Sequence, residues 1–248
     1  MIKVKSQEDI ELMRIACRIT RDTLNLLQTH VKAGISTYEL NKIAEEYIIS
    51  QGATPTFKHY NGFPTGLCTS VNDVIVHGIP RKDQILKEGD IISLDVGAKY
   101  KGFTGDAART FPVGKVSSDV AKLITVTEQC FFEGIKGLHA GCFVGDISHR
   151  VQLYAEKHGY GVVREMVGHG VGRNLHEDPQ IPNYGTAGMG PKIPANCTLA
   201  IEPMINMGKK DVKFGADGWK CSTLDGLPSA HYENTVLVTE NGVEILTL

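Results

Sequence analysis

Four acidic residues lie within apolar, strand-forming segments of the sequence. They are Asp95 in IISLDVG, Asp106 in GFTGDAART, Glu202 in TLAIEPM and Glu233 in AHYENTVLV. Acids are depleted in strands and are rarely buried without a partner. A single acid of this kind is usually a structural residue that pairs with a lysine or arginine. Such pairing does not explain the whole set, because no basic residue lies in 91–96, 198–204 or 232–239.

Divalent metal ions would balance this accumulation of buried negative charge. Unpaired carboxylates in one buried site would raise one another's pKa values or destabilise the fold. Carboxylates combined with a neutral imidazole suit Co, Mn, Fe or Zn, whereas copper(I) and iron–sulfur clusters favour thiolates. Two such ions, about 3.5–4 Å apart, share bridging carboxylates and activate water, so the acids predict a hydrolase with two divalent metal ions.

Three histidines could supply the nitrogen ligand or act on a substrate. His169 has glycine on both sides in VGHGVG, His77 lies in VHGIP, and His176 lies in LHEDP. A glycine neighbour lets the backbone approach closely. A lone histidine is more often structural, but three in glycine- or proline-bounded turns, in a chain with four strand acids, indicate a site. A mononuclear iron oxygenase needs only two histidines and one carboxylate, so four acids argue against it.

The helices that would frame this site begin at recognisable capping boxes. Ser6 opens an S-x-x-D box and Ser36 opens an S-x-x-E box. Apolar residues recur after each box at helical spacing, and Gly34 and Gly52 are the expected helix ends. The apolar positions are Ile10, Met13, Cys17, Leu24, Leu27 and Val31 in the first helix and Leu40, Ile43, Ala44, Tyr47 and Ile48 in the second.

An order of two helices followed by strands occurs twice along the chain. The predicted ranges are helices 120–138 and 147–157 and strands 91–96, 104–111, 198–204 and 232–239. A constant offset of 107 residues relates Gly34 to Gly141, Gly52 to Gly159, and Asp95 to Glu202. We therefore expect one α+β catalytic domain, residues 1–248, with related halves of about 1–115 and 116–248 and helices covering a curved antiparallel sheet.

Composition and charge exclude several classes of protein. The formal net charge is −2 and no long basic run is present, which disfavours nucleic-acid binding. Residues 1–13 do not read as a signal peptide, and no apolar run reaches the roughly 20 residues that span a bilayer. The six cysteines form no C-x-x-C pair, which disfavours a zinc ribbon and indicates free thiols in a reducing compartment. We therefore expect a cytoplasmic protein.

The order of the motifs resembles that of the methionine aminopeptidases. From the first helix to the last strand the sequence is similar to the short, bacterial-type class I members. The shared motifs are VHGIP, DVG, GFTGDAART, MVGHGVGRNLHEDP, AIEPM and HYEN. The resemblance implies a pita-bread fold with two pseudo-symmetric halves. It also implies removal of the first methionine from nascent polypeptides, with a preference for a small second residue.

The resemblance implies a ligand set for two divalent ions. The matching positions are Asp95, Asp106, His169, Glu202 and Glu233. Asp106 and Glu233 would bridge both ions. Asp95 would hold one of them, and His169 with Glu202 would hold the other.

Three residues would act on the substrate, again by resemblance. His77 would face the scissile amide nitrogen, and His176 would stabilise the developing oxyanion. Glu202 would take the proton of the attacking water and pass it to the leaving amine.

An apolar pocket for the methionine side chain is also implied. Its walls would be Tyr60, Phe63, Cys68 and Trp219, joined by Phe57 and Leu175. Core packing explains a lone tryptophan almost as well. Phe63 stands where many relatives have tyrosine, and Leu175 stands where they often have phenylalanine, so the pocket rim is expected to differ. His231 replaces the usual polar residue two places before the last ligand, and on a strand it would share that ligand's face.

Further expectations rest on the resemblance alone. They are a monomer, docking at the ribosome, and a structural monovalent cation held by carbonyl groups of Asn72, Val74 and Ser229. One alternative is an Xaa-Pro aminopeptidase or prolidase, but these carry a large N-terminal domain for which the segment before His77 leaves no room. Another is a non-catalytic binding protein of the same fold, but such proteins lose metal ligands that this sequence keeps.

Overall fold

Four α-helices, one short 3₁₀-helix (Tyr60–Gly62) and fifteen strands build the fold, which a computed structural model describes for residues 1–248. The helices are α1 (Gln7–His30), α2 (Thr37–Ser50), α3 (Ser118–Ile135) and α4 (Val144–Lys157). The strands of the first half are β1 (Thr54–Pro55), β2 (Leu67–Val71), β3 (Val74–Val76), β4 (Ile91–Tyr100) and β5 (Phe103–Pro112). Those of the second half are β6 (Gly161–Val162), β7 (Gly168–Gly170), β8 (Glu177–Ile181), β9 (Cys197–Ile201), β10 (Met204–Asn206), β11 (Val212–Phe214), β12 (Cys221–Thr223), β13 (Ser229–His231), β14 (Glu233–Val238) and β15 (Val243–Ile245). None of the helices combines the length and the apolar character that a membrane span needs.

Nine of the strands form one antiparallel sheet. The main path runs β1-β4-β5-β14-β9-β7-β8, with β2 added beside β4 and β15 beside β14. Two smaller sheets have the orders β13-β10-β6 and β11-β12-β3. Every strand pairing is antiparallel, which agrees with the predicted sheet type.

Both predicted capping boxes are present. The Ser6 hydroxyl accepts the Asp9 N–H at 3.1 Å, and the Asp9 carboxylate accepts the Ser6 N–H at 3.2 Å. The same exchange links Ser36 and Glu39, at 3.1 and 3.0 Å. The predicted apolar face of α1 is buried from Ile10 to Leu27, and only Val31, just past the helix end, is partly exposed.

Several predicted boundaries were wrong by a few residues, and one predicted strand is divided. α3 and α4 each begin before the predicted residue, and α3 ends before Gly137, which has a positive φ of 69°. The predicted strand 198–204 is split into β9 and β10, which belong to different sheets. Pro203 lies at the break, because it has no N–H to donate to a strand ladder.

The sequence offset of 107 residues corresponds to repeated hydrogen bonds. Gly34 N–H donates to the Leu86 carbonyl at 2.9 Å, and Gly141 N–H donates to the Ile193 carbonyl at 2.8 Å. The helices α2 and α4, which follow these glycines, both have 14 residues and are related by the same offset. The two halves therefore share local structure as well as sequence spacing.

The helices pack on one face of the large sheet and leave the other for the acids. In β4, the side chains of Ile92, Leu94 and Val96 join a buried apolar cluster with α1 and α2. Asp95 lies between them and points to the opposite face, because neighbouring side chains of a strand alternate. A second apolar cluster joins α3 and α4 to β9 and β14.

The contact between α1 and β5 depends on a glycine. A Cβ atom at Gly105 would lie 2.6 Å from the backbone nitrogen of Cys17 in α1. The Gly105 carbonyl also accepts the hydroxyl of Thr20 at 3.0 Å. This close approach places α1 directly over the strand that carries Asp106.

Gly105→Ala should reduce the free energy of unfolding by about 1–3 kcal/mol, because its methyl group would force the helix away from the strand. Denaturant titration of the metal-free protein measures this change. Gly242→Ala is the matched control, since a Cβ atom there meets nothing within 4 Å. Equal stability of the two variants would contradict the role given to Gly105.

Candidate metal centre

Three neighbouring strands carry three of the implied ligands. Asp95 lies on β4, Asp106 on β5 and Glu233 at the start of β14. Ala108 of β5 pairs with Asp95 on one side and with Glu233 on the other, so these acids lie at one level of the sheet. Asp106 lies two residues before Ala108 and therefore on the same face. The register thus brings the three carboxylates together.

His169 and Glu202 enter the same site from β7 and from the end of β9. Nε2 of His169 lies 3.6 Å from Oδ2 of Asp106 and 3.5 Å from Oε1 of Glu202. Its Nδ1 lies 2.9 Å from the Gly170 carbonyl, which can only accept, so Nδ1 is the protonated nitrogen and Nε2 is free to bind a metal. One ligand atom each of Asp106, His169 and Glu233 lie within 4.8 Å of one another.

No lysine or arginine pairs with any of the four carboxylates. Arg109 donates to the main-chain carbonyl of Glu233 and to Oδ1 of Asn234, and leaves the Glu233 side chain free. Buried oxygen atoms of Asp95, Asp106 and Glu233 have no hydrogen-bond partner. Unpaired buried charges are costly, so these residues are not four separate structural ion pairs. Their oxygen and nitrogen donors fit divalent cations.

Burial shifts the pKa values of these groups toward their neutral forms. It raises the pKa of Asp95 to about 7 and that of Glu202 to about 8. The pKa values of Asp106 and Glu233 also lie well above their usual range, because of burial and the charges of neighbouring acids. Burial lowers the pKa of His169 to about 3, so the imidazole is neutral near pH 7 and can act as a ligand.

His77 and His176 lie at the edge of this cluster. The ring of His176 lies 4.3 Å from that of His169, and its Nδ1 lies 2.8 Å from the Tyr60 hydroxyl. His77 has a φ of 60°, a left-handed conformation that few non-glycine residues adopt. Burial lowers the pKa of His77 to about 4, so its ring is neutral near pH 7. Strained backbone of this kind concentrates at functional sites.

An apolar cavity of about 230 Å³ adjoins the carboxylates. Its apolar and aromatic walls are the implied pocket residues Phe57, Tyr60, Phe63, Cys68, Leu175 and Trp219. The rings of Phe63 and Trp219 meet edge to face with centroids 5.1 Å apart. Trp219 therefore lines the cavity and is not a residue of the main core. Burial raises the pKa of the Cys68 thiol, which stays protonated.

A wider cleft of about 1260 Å³ leads from the same site to the surface. Five residues line both this cleft and the apolar cavity: His77, Asp95, His169, His176 and Glu202. Residues 165–168 and the N-terminal segment 1–4 form other parts of its wall. The site is thus open to an extended chain on one side and to a single apolar side chain on the other.

His231 contacts the site, but through Glu202 and from a different strand than predicted. It lies on β13, opposite Met204 of β10, and not on the same strand as Glu233. Its Nε2 lies 3.5 Å from Oε2 of Glu202, and neither ring nitrogen has a hydrogen-bond partner. The break in the predicted strand at Pro203 turns Glu202 toward this histidine.

Two residues that contact the site or line its cavity were not predicted from the sequence. The Asn183 side chain donates to the Glu202 carbonyl at 2.9 Å, where β9 ends. Asn61 also lines the apolar cavity. No motif marks either residue, because their roles depend on contacts between distant segments. Among the residues implied for a monovalent cation, the Asn72 carbonyl accepts the Ser229 N–H at 3.0 Å, and the cation itself stays a prediction.

Comparison with known proteins identifies close relatives over the whole chain. The model of metallopeptidase family M24 matches residues 11–240. The chain is 52% identical to a methionine aminopeptidase of Clostridium perfringens, over 100% of this chain and 99% of that protein. It superposes with a TM-score of 0.98 on the crystal structure of a methionine aminopeptidase from Thermotoga maritima, which is 43% identical and is matched over 100% of this chain and 99% of that one.

A prolidase from Pyrococcus furiosus shares the fold alone. Its TM-score is 0.79 at 23% identity, and the match covers 99% of this chain but 65% of the prolidase. These similarities confirm the predicted fold class, a curved antiparallel sheet with four helices in the pita-bread arrangement.

Metal affinity should rise steeply with pH. In the metal-free protein the carboxyl groups with pKa values of about 7 and about 8 hold protons that a metal must displace. Because these folded-state values are raised from 3.8 and 4.5, the metal-free protein should also lose stability as the pH rises from about 4 until it passes about 7 to 8, and bound metal should reverse this loss.

Calorimetric titration with Mn²⁺ in buffers of different ionisation enthalpy counts the released protons. We expect affinity to increase roughly tenfold per pH unit for each displaced proton. An affinity that does not change with pH, with no proton release, would contradict the protonation states given to Asp95 and Glu202.

Proposed function

The chain belongs to metallopeptidase family M24 and, within it, to the methionine aminopeptidases, and we propose that its buried carboxylates hold two divalent metal ions for this reaction. The enzyme hydrolyses the peptide bond that follows an N-terminal methionine. One observation carries the proposal: buried acids without a basic partner lie beside an apolar cavity. The prolidase alternative has only the shared fold in its favour.

The arrangement of donors supports a division of the ligands between two ions. Asp106 and Glu233 would be shared by both ions, as the resemblance of their motifs implies. Asp95 would complete one coordination sphere, and His169 with Glu202 would complete the other. Divalent ions at such a site polarise the scissile carbonyl and favour ionisation of water. The donor set suits Co, Mn, Fe or Zn.

The proton transfers fall to side chains of the chain itself. Glu202 would accept a proton from the attacking water as the oxygen adds to the carbonyl carbon. It would then donate that proton to the amine nitrogen as the carbon–nitrogen bond breaks. One of its carboxylate oxygens lies 3.5 Å from Nε2 of His169 and the other lies 3.5 Å from Nε2 of His231.

The two histidines at the edge of the site would act on the peptide group. His176 would stabilise the negative charge that develops on the carbonyl oxygen, with the Tyr60 hydroxyl fixing its ring through Nδ1. His77 would face the amide nitrogen, in a direction set by its left-handed backbone. Both rings lie in the wall of the cleft through which the rest of the polypeptide would leave.

The apolar cavity would receive the methionine side chain. Phe63 and Trp219 offer ring faces and edges that suit a thioether, and Tyr60 closes the side toward His176. A cavity of about 230 Å³ holds one side chain. Phe63 and Leu175 would set the rim and so the discrimination between methionine and other apolar residues.

The proposed activity also implies the substrates of the reaction and where in the cell it takes place. The substrates would be N-termini of nascent polypeptides with a small second residue, processed in the cytoplasm by a monomer that docks at the ribosome. Residues 1–248 would act as one catalytic domain whose halves, about 1–115 and 116–248, supply Asp95 and Glu202 from equivalent positions.

Methionine release should depend on both the metal and the first side chain. Metal-stripped protein should release methionine from Met-Gly-Met-Met only after addition of Co²⁺ or Mn²⁺, and should release little leucine from Leu-Gly-Met-Met. Amino-acid analysis of the products measures both. Equal release of the two residues would remove the selectivity assigned to the cavity, and no release with any metal would favour a binding protein.

Glu202→Gln should lower kcat by at least about 10²-fold, because the amide cannot carry the proton. His169→Ala should weaken metal binding and abolish turnover. Glu240→Gln, an exposed glutamate away from the site, is the control. Circular dichroism of each variant should match the parent protein. Normal turnover of Glu202→Gln at saturating metal would exclude its role in proton transfer.

A further inference from the structure

A buried ion pair joins the N-terminal segment to the hairpin that carries two site histidines. Nζ of Lys5 lies 2.9 Å from Oε2 of Glu177, and the side chains are only 6% and 1% exposed. Desolvation makes such pairs expensive, so they are uncommon without further hydrogen bonds. Lys3 faces the same carboxylate at 3.4 Å, but its side chain is 55% exposed.

The Glu177 carboxylate closes the turn that carries Leu175 and His176. Its Oε1 accepts the N–H of Asn174 at 3.2 Å, and its backbone pairs with Gly170 at the base of the β7–β8 hairpin. Only Leu175 and His176 lie between the two linked residues. Leu175 is a wall of the apolar cavity, and His176 lines both the cavity and the cleft.

Sheet contacts hold the first part of this connection but not its last part. Val171 N–H donates to the Thr198 carbonyl at 3.1 Å, and the Gly172 carbonyl accepts the Thr104 N–H at 2.8 Å. The side chain of Arg173 is 65% exposed. Within the turn, the Asn174 carbonyl accepts the Gly172 N–H at 3.0 Å, and the Glu177 carboxylate closes the turn by accepting the Asn174 N–H. The geometry of the turn therefore depends on what fixes that carboxylate.

Lys5 is itself fixed by its surroundings. Its N–H donates to the Asn196 carbonyl at 2.7 Å, and its ammonium also donates to the Lys3 carbonyl at 3.2 Å. A Cβ atom at Gly172 would lie 2.7 Å from Cε of Lys5, so the lysine stem lies directly on the glycine backbone. The ammonium is thus presented to Glu177 in one position.

We propose that Lys5 is a positioning residue for the catalytic turn: its ammonium fixes the Glu177 carboxylate, which in turn fixes Leu175 and His176. This inference rests on the proposed function, in which Leu175 lines the methionine pocket and His176 stabilises the oxyanion. Lys5 does not line the cavity or the cleft. A change at Lys5 should therefore alter both turnover and side-chain selectivity without removing any group that contacts the substrate.

Lys5→Met tests this, because it keeps the stem and removes the charge. We expect kcat on Met-Gly-Met-Met at saturating Mn²⁺ to fall roughly tenfold or more, as small misplacements of catalytic groups do. The ratio of the rate of methionine release to the rate of leucine release should also decrease. Lys136→Met is the matched control, because Lys136 pairs with Glu133 through a side chain that is 72% exposed and lines neither the cavity nor the cleft. Its kcat should stay within about twofold of that of the parent protein, with the ratio unchanged. All variants are assayed well below their unfolding temperatures.

A second variant separates positioning from stability. Glu177→Gln combined with Lys5→Met removes the unpaired buried charge and keeps an oxygen that can accept the Asn174 N–H. Its unfolding temperature should recover toward that of the parent protein, while kcat should stay below that of Lys136→Met. If Lys5→Met alone does not fold, this double variant decides the question in the same comparison.

Measuring His176→Ala in parallel separates a failure of this inference from a failure of the proposed function. Loss of turnover in His176→Ala and in Lys5→Met, with Lys136→Met normal, supports the inference. The inference is overturned if His176→Ala loses turnover while Lys5→Met, or the double variant, equals Lys136→Met in kcat and selectivity, even if its unfolding temperature is lower. Full turnover of His176→Ala would instead refute the proposed role of that histidine.

Discussion

The burial of four carboxylates without a basic partner is the constraint on which the rest of the structure depends. A protein interior does not tolerate this much unpaired negative charge unless the groups are protonated or bound to cations. Burial accordingly raises the pKa of Asp95 to about 7 and that of Glu202 to about 8. The surrounding fold must supply enough apolar packing to hold these groups together before any cation binds.

That packing lies on the opposite face of the same strands. Alternation along β4 places Ile92, Leu94 and Val96 under the helices and Asp95 on the side of the site. Gly105 allows α1 to approach β5 closely, directly behind Asp106. The site is thus built on rigid central strands, where small movements of the ligands are costly.

The two halves of the fold place their equivalent acids in different local structures, although the spacing of residues in the two halves is the same. Asp95 lies within the long, continuous strand β4, whereas Glu202, at the equivalent position, lies where β9 ends before Pro203. The break frees the Glu202 side chain to contact His169 on one oxygen and His231 on the other. This difference fits the roles proposed above, in which Glu202 would accept and return a proton and Asp95 would be a fixed ligand.

The sequence by itself determined the helices, the strand acids, the repeat and the family. These depend on local signals: capping boxes at Ser6 and Ser36, helical spacing of apolar residues, and acids in strand-forming segments without nearby bases. The motifs around His169 and Glu233 added the implied roles. Such features can be read because each involves residues close together in the chain.

Only the tertiary structure decided how distant segments meet. Three contacts join residues that are far apart in sequence. Ala108 pairs with both Asp95 and Glu233, His231 contacts Glu202 across two short strands, and Lys5 is buried against Glu177. No local pattern encodes them, because each depends on strand register and on which surfaces the packed helices leave free. The type of chemistry could therefore be predicted from the residue types, whereas the positions of the reacting side chains were set by long-range packing.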